Sequence, residues 1–282
     1  MSAIPSTTEM KPTSILSPSL AADLAHLSSS TSMNFNQQNY ASKKDYELIN
    51  KIFGNGLQIQ YRYTRSPHPN SNKMIAIELT FTNVSNGDFV SVSITNKKLQ
   101  MGMSMSDLSE FDLVKGSSIT KTIGIDFNDT LQSAQFEITA VYSNDPLLGG
   151  TSTSKKWPNL SIACPIGELV QPGWSISENE FNKLQAKLKG MNEINGTIDE
   201  LAHAQFISKN LNTKLLENVN MCQIPSSQQD TIKFAALTFA TKTPLLLSLY
   251  FASNSKKCQI NVNCEKIVLA NMFLKEIKQL LG

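Results

Sequence analysis

Hydrophobic and polar residues alternate with a period of two through much of the first half of the chain. The alternating segments are LQIQYRYT from Leu57, IAIELTFTN from Ile75, FVSVSIT from Phe89, ITKTIGIDF from Ile119, FEITAVY from Phe136 and LSIAC from Leu160. Such alternation is typical of strands with one buried face and one face in water. Turn-forming segments separate the strands and no helical crossover intervenes, so residues 46–170 are predicted to form an immunoglobulin-like antiparallel β-sandwich.

A polar, turn-rich segment, NDPLLGGTSTSKKWP, lies between the last two alternating runs and covers residues 144–158. Its glycines, prolines and hydroxyl residues are typical of turns. We expect it to form a long exposed loop between the last two strands of the sandwich.

The pattern changes to a helical one at SENEFNKLQAKLKG. Ser177 is a good N-cap residue, and Glu180 stands at the spacing of a capping box. Phe181, Leu184 and Leu188 then recur on one face of a helix that Gly190 ends. Residues further on predict strands over 232–239, 245–252 and 259–263 and a C-terminal amphipathic helix carrying Leu269, Phe273, Ile277 and Leu280. Residues 171–282 are therefore predicted to form a smaller α+β platform domain.

Residues 1–45 are rich in Ser, Thr, Asn and Ala and are predicted to be a disordered, hinge-like arm. One segment within it, ILSPSLAADLAHL, places leucines near one helical face around Asp23. Such a segment is either a docking motif, with Leu20, Asp23 and Leu24 as candidate contacts, or an amphipathic patch that arose by chance.

Composition excludes several classes of function. The chain has 282 residues and a formal net charge of +2, which suggests neither a nucleic-acid partner nor direct membrane binding. The sequence predicts no signal peptide and no membrane-spanning segment. The four cysteines, Cys164, Cys222, Cys258 and Cys264, are therefore expected to be reduced. Sequons at Asn83, Asn128, Asn159 and Asn195 are interpreted as products of chance.

No motif in the chain indicates catalysis. The sequence has no Gly-rich phosphate loop, no G-x-S-x-G motif and no cysteine spacing typical of zinc, so no enzyme activity, metal or cofactor is predicted. A Cys/His hydrolase built on His203 and a secreted, glycosylated sandwich with paired cysteines stay open as alternatives. Trp174, Phe181 and the C-terminal helix are the candidate interaction surfaces on the folded part. For Trp174 the alternative is partial burial at a domain junction.

Several stretches resemble a known family, the C-terminal hinge and appendage of the beta subunit of adaptor protein complex 3. The resemblance runs from Leu16 to the end of the chain. It is carried by ILSPSLAADLAHL, GNGLQIQYRYTRSP, KKLQMGMSM, GIDFNDTLQSAQFEI, PIGELVQP, SENEFNKLQAKLKGMNEI and NCEKIVLANMFLKEI. The resemblance implies a β-sandwich followed by an α+β platform, which agrees with the pattern of the residues.

The resemblance also implies a function. The chain is expected to be a non-catalytic adaptor appendage at the cytoplasmic face of Golgi, endosomal and coated-vesicle membranes. It would recruit accessory trafficking proteins through short linear motifs during the sorting of cargo to lysosomes and related organelles. Other adaptor subunits would be reached only through a trunk that these residues lack. The hinge segment SLAADL keeps only Leu20 and Asp23 of a clathrin-box pattern, so clathrin binding is not expected. The alternative is a free-standing β-sandwich interaction module outside any adaptor complex.

Overall fold

Strands dominate the parts of the chain that the computed structural model describes, which are residues 44–86, 89–143, 152–252 and 255–282. Every pairing between these strands is antiparallel. The prediction of a mainly β chain with an added α+β part is confirmed. The predicted arm, with Leu20, Asp23 and Leu24, lies outside the described residues except for its last two positions.

Two antiparallel sheets make up the first half. The first sheet contains, in spatial order, β1 (Tyr46–Ile49), β2 (Leu57–His68), β3 (Ser71–Asn83), β7 (Ser118–Asp126) and β5 (Ser104–Met105). The second sheet contains, in spatial order, β6 (Phe111–Val114), β4 (Phe89–Lys98), β8 (Ala134–Ser143) and β9 (Ser152–Ile162).

The alternating hydrophobic residues of these strands meet in a shared core. Along β2 the side chains of Leu57, Ile59 and Tyr63 are fully buried, and the residues between them are more exposed. Contacts cross from sheet to sheet: Phe81 of β3 meets Phe111 of β6 edge-on, with ring centroids 4.9 Å apart. The two sheets therefore form a sandwich, as predicted, and the immunoglobulin-like strand topology stays a prediction.

The predicted loop over residues 144–158 is wrong in its second part, because β9 begins at Ser152. Ser152 pairs with Ser143 of β8, and the pairing continues to the end of the strand with one register shift near Pro158. β9 is an edge strand of its sheet, so it tolerates a proline and outward lysines that are unfavourable in a central strand. Because of this polar composition, the sequence pattern did not indicate the strand. Its Trp157 side chain is nevertheless only 1% exposed. Residues 144–151 lie outside the described ranges.

The second half forms one antiparallel sheet with helices on both faces. Its strands are β10 (Val170–Gln171), β11 (Glu193–Ile198), β12 (Cys222–Ile224), β13 (Thr231–Thr238), β14 (Pro244–Phe251) and β15 (Cys258–Asn263). Its helices are α1 (Glu178–Lys187), α2 (His203–Ser208), α3 (Leu211–Val219) and α4 (Ile267–Leu281). The predicted C-terminal helix is confirmed, and it buries Leu269, Phe273 and Ile277. Within the described ranges, no helix is both long and apolar enough to cross a membrane.

A buried carboxylate of the sandwich reaches into the platform. Asp129 follows β7 in the GIDFNDT stretch and has a left-handed backbone, with φ of +51°. Its side chain accepts hydrogen bonds from the backbone N–H groups of Ala240 and Thr241, at 3.0 and 3.2 Å, and from the Thr241 hydroxyl. Lys266 Nζ, next to the start of α4, lies 2.9 Å away. One side chain therefore joins the sandwich to a platform turn and to the C-terminal helix.

The PIGEL stretch forms a short 3-10 helix, Ile166–Leu169, at the same junction. Arg65 of β2 makes a two-pronged ion pair with Glu168, at 2.9–3.2 Å, and both side chains are less than 10% exposed. Gly167 has no room for a side chain, since a Cβ would lie 2.0 Å from the backbone oxygen of Asn218. The Asn220 side chain donates to the Gly167 carbonyl at 2.6 Å.

Besides these polar contacts, the two halves share one continuous hydrophobic core. β10 follows the 3-10 helix directly and pairs with β13, so Val170 already belongs to the platform sheet. The domain boundary between residues 170 and 171 stays a prediction.

The charge of Asp129 is expected to contribute strongly to stability. We predict that Asp129→Asn, which tolerates the left-handed backbone, lowers the free energy of unfolding by about 2–3 kcal/mol, because a buried charged acceptor is lost. Burial opposes ionisation, but the Thr241 hydrogen bond and the Lys266 charge outweigh it, so the pKa of Asp129 lies below its ordinary value of 3.8. The contribution is therefore fully present above pH ~4 and is lost as the pH falls below it. Urea unfolding at pH 7 and pH 3 measures both effects.

Asp126→Asn is the matched control for this prediction. Burial raises the pKa of Asp126, and its carboxylate accepts only the Asn128 N–H among the described contacts. The control is expected to cost less than about 1 kcal/mol. Equal losses from both substitutions would contradict the role assigned to Asp129.

Candidate interaction surface on the platform

Helix α1 begins with the predicted capping box. The Ser177 hydroxyl accepts the Glu180 N–H at 3.3 Å, and the Glu180 carboxylate accepts the Ser177 N–H at 2.9 Å. The apolar stripe of the helix is also confirmed, since Phe181, Leu184 and Leu188 are all buried. The local sequence therefore determines where the helix begins and which side of it faces the sheet.

The sheet face beneath α1 carries polar side chains. Ser248 of β14 is paired with Asn261 of β15, and Asn263 lies two residues further along the same face. All three are at most 5% exposed. Gln185 of α1 places its Nε2 atom 3.2–3.3 Å from a side-chain oxygen of each of them. Buried polar groups are stable where they find partners, and the Gln185 amide is shared among these three side-chain oxygens.

Lys233 of β13 continues this polar face under the start of α1. Its side chain is only 6% exposed, and Nζ donates to Glu178 at 2.9 Å and to Asn182 at 3.0 Å. The same ammonium lies 5.6 Å from the centre of the Phe181 ring. The Lys233 hydrogen bond, helped by the backbone N–H of Ser227, lowers the pKa of Glu178 to about 2.

Beyond α1 the polar face opens into a groove at the edge of the sheet. Its volume is about 650 Å³. It is lined by Glu193, Asn195, Gly196 and Thr197 of β11, Tyr250 of β14, Gln259, Ile260 and Asn261 of β15, and Lys278 of α4. The Asn261 amide donates to Glu193 and, at 2.9 Å, to Asn195, which fixes the floor of the groove. Amide, hydroxyl and ammonium groups in such a groove suit the hydrogen bonding of a peptide rather than a covalent reaction.

The cysteines do not have the properties of nucleophiles. Burial raises the pKa of all four thiols, to about 12 for Cys258 and about 11 for Cys264. A reactive cysteine requires the opposite shift, because the thiolate is the nucleophile. His203 meets the Phe251 ring at 5.1 Å, so its ring packs against an aromatic. The hydrolase alternative therefore finds no support in these side chains. Within the described ranges, no group of three or more His, Cys, Asp or Glu is placed to hold a metal ion.

The sequon at Asn83 argues against the secreted alternative. Asn83 is fully buried and donates to the Leu113 carbonyl at 3.0 Å. The Asn159 side chain accepts from Lys98, and the Asn195 side chain accepts from Asn261. Glycosylation takes place at exposed asparagines, so Asn83 in particular is unsuited to it.

The residues predicted from the sequence as contacts lie in different environments. Phe181 is fully buried beneath Lys233, so it stabilises the interface of α1 with the sheet and presents no surface to a partner. Its predicted role as a direct contact is therefore corrected. Trp174 is half-buried before α1, and its contact role stays a prediction. Leu20, Asp23 and Leu24 fall outside the described residues.

The groove residues were missed, although the sequence contains a signal for them. In CQINVN the polar residues Gln259 and Asn261 alternate with buried Ile260 and Val262. This alternation shows that one face of a platform strand is polar. The strand EINGTI, which supplies Asn195 and Thr197, is not predicted from the sequence, because Gly and Asn are depleted in strands.

The low pKa of Glu178 is expected to depend on Lys233. We predict that Lys233→Met, which keeps a similar volume, raises the pKa of Glu178 from about 2 toward its ordinary 4.5. Carboxyl titration by NMR measures the change. Lys183→Met, on the exposed side of α1, is the control and should leave Glu178 unchanged. An unchanged low pKa in Lys233→Met would contradict the role of Lys233 and leave the Ser227 N–H and the helix N-terminus as the causes.

Comparison with known proteins gives the same family for both halves of the chain. The family model for the C-terminal part of the clathrin-adaptor complex-3 beta-1 subunit matches residues 2–132. A second model, "AP-3 complex subunit beta-1, C-terminal domain", matches residues 167–281. The two models together cover most of the sandwich and nearly all of the platform.

Individual relatives are similar in sequence along most of the chain. AP-3 complex subunit beta-1 of Mus musculus is 33% identical over 275 residues and that of Homo sapiens 32%, each match covering 96% of this chain. AP-3 complex subunit beta of Dictyostelium discoideum is 26% identical and covers 83%. The chain spans only 23–24% of the length of these relatives. The chain belongs to the family of C-terminal regions of AP-3 complex beta subunits.

Proposed function

We propose that this chain acts as a non-catalytic appendage of an AP-3-type adaptor. It recruits accessory proteins for the vesicle-mediated sorting of membrane cargo from Golgi and endosomal membranes to lysosomes and related organelles. The observation that carries the proposal is the tandem match of two models from one adaptor family. The role is a proposal because the chain spans only about a quarter of the length of these relatives.

The structure supports this role in two ways. The junction at Asp129 and Glu168 couples sandwich and platform, and the platform presents a polar groove of about 650 Å³. Short peptides that bind such a surface have affinities of ~1 μM, near −8 kcal/mol, and act together through multivalency. The protein would work at the cytoplasmic face of its membranes and would contact other subunits through a trunk region. Clathrin is not among the proposed partners.

An affinity experiment tests the function and the groove together. The full chain is immobilised at high density, cytosol is passed over it, and retained proteins are identified by mass spectrometry. Vesicle-coat, motor or fusion proteins are expected among them. Gln259→Glu places a carboxylate in the groove beside Lys278, which neutralises the positive charge there, and is expected to reduce their retention by at least about fivefold.

Gln60→Glu is the matched control, because Gln60 is an exposed glutamine on strand β2 of the sandwich. It should leave retention unchanged. A column that retains no trafficking protein would contradict the proposed function. Retention that is insensitive to Gln259→Glu would leave the function standing and remove the groove from it.

A further inference from the structure

The edge strands of the described sheets differ in how they are protected from pairing with another chain. β5 and β10 have two residues each, β12 has three, and β1 and β6 have four. β9 is long, but it carries Lys155, Lys156, Pro158 and a register shift. Short length, lysine, proline and bulges are the devices by which natural proteins prevent edge-to-edge association.

β11 has none of these devices. Its six residues pair with β15 in one uninterrupted register, from Glu193 with Asn263 to Ile198 with Cys258. The strand contains no lysine and no proline. Within the described ranges, no strand pairs with its other side. An edge that is regular and unprotected is therefore available for a further strand.

The direction of the backbone groups follows from the register. The Cys264 N–H donates to the Asn192 carbonyl at 3.0 Å, so this pair is hydrogen bonded. Hydrogen-bonded and non-hydrogen-bonded pairs alternate along an antiparallel ladder. The N–H and C=O groups of Asn195 and Thr197 therefore point away from β15, toward the open edge. The Glu193 N–H agrees with this direction, since it donates to Gly190 and not to β15.

Helix α4 lies directly under this edge. A Cβ at Gly196 would lie 2.8 Å from Lys278 Cε and 3.0 Å from Leu274 Cδ1, so helix and strand are in close contact there. Lys278 is exposed and makes no ion pair with any described residue. An added strand would thus find backbone partners on β11 and a positive charge beneath it.

We propose that β11 binds an extended peptide of a partner protein as an added strand. The peptide backbone hydrogen bonds to Asn195 and Thr197, and an acidic side chain of the peptide lies beside Lys278. Backbone pairing supplies affinity in this mode of recognition, and the flanking side chains supply specificity. The inference rests on the proposed function, since it identifies the site at which the appendage binds one class of accessory protein.

A second copy of the chain is a less favourable occupant. Antiparallel pairing of β11 with another β11 about a two-fold axis keeps both α4 helices on the same face. Lys278 lies against Gly196, in the second half of the strand, so the pairing would bring two Lys278 ammonium groups toward each other. Like charges facing each other destabilise strand pairing, whereas an acidic peptide gains from the same lysine.

The test uses a library of random dodecapeptides displayed on phage and selected on the full chain. Selected peptides are then titrated against the intact chain, against Thr197→Pro and against Thr197→Val. Proline removes the outward N–H without touching the bonds to β15, and valine keeps both the N–H and the β-branched shape. At least one peptide family with a shared acidic residue is expected to lose about tenfold or more in affinity for Thr197→Pro, and less than about twofold for Thr197→Val.

Amide hydrogen exchange on the intact chain gives a second readout that does not depend on the folding of a variant. Bound peptide should protect the amides of Asn195 and Thr197. Peptides that bind without protecting these amides would overturn the β11 site and leave the proposed function intact. A chain that selects no peptide, or that dimerises through β11 in sedimentation, would also overturn it. The affinity column with cytosol then decides separately whether the appendage function stands.

Discussion

The carboxylate of Asp129 fixes how the sandwich and the platform meet. Asp129 lies in a sandwich loop and has a left-handed backbone. Its carboxylate accepts hydrogen bonds from two backbone N–H groups of a platform turn that begins 111 residues further along the chain. Lys266 compensates its charge. Without this acceptor the turn would keep buried donors that water cannot reach, which is the costly arrangement. Together with the Arg65–Glu168 ion pair, it joins the sandwich to the platform, so we expect the platform groove to keep a fixed direction relative to the sandwich.

Directional bonds position helix α1 on the platform sheet. This sheet is apolar toward α4 and polar toward α1, where Gln185 and Glu178 reach the buried groups of β13, β14 and β15. Apolar packing alone would tolerate a shift of the helix, whereas these bonds set its position along the strands. The helix thereby covers the centre of the polar face and leaves the β11 side open. The groove is therefore the part of the polar face that α1 does not cover.

The sequence predicted most elements whose signal is local. Alternation located the long sandwich strands, Ser177 and Glu180 located the start of α1, and the spacing of Leu269, Phe273 and Ile277 located α4. β9 and β11 were not predicted, because lysine, proline, glycine and asparagine lower strand propensity. An edge strand nevertheless tolerates these residues. The Asp129 contact, the burial of Phe181 and the groove depend on residues far apart in the chain, and no single segment encodes them. The GIDFNDT and PIGEL stretches, which carried the family resemblance, prove to contribute to the domain junction.

The central claim is that sandwich and platform form one body that presents the platform groove in a fixed direction. The most direct test is the distance between spin labels at Gln60→Cys in the sandwich and Lys275→Cys in α4, measured by pulsed electron spin resonance. Burial slows labelling of Cys164, Cys258 and Cys264, and the partly buried Cys222 is replaced by alanine, so the two new cysteines react selectively. A single narrow distance distribution is predicted. A broad distribution, or one with two maxima, would contradict the account.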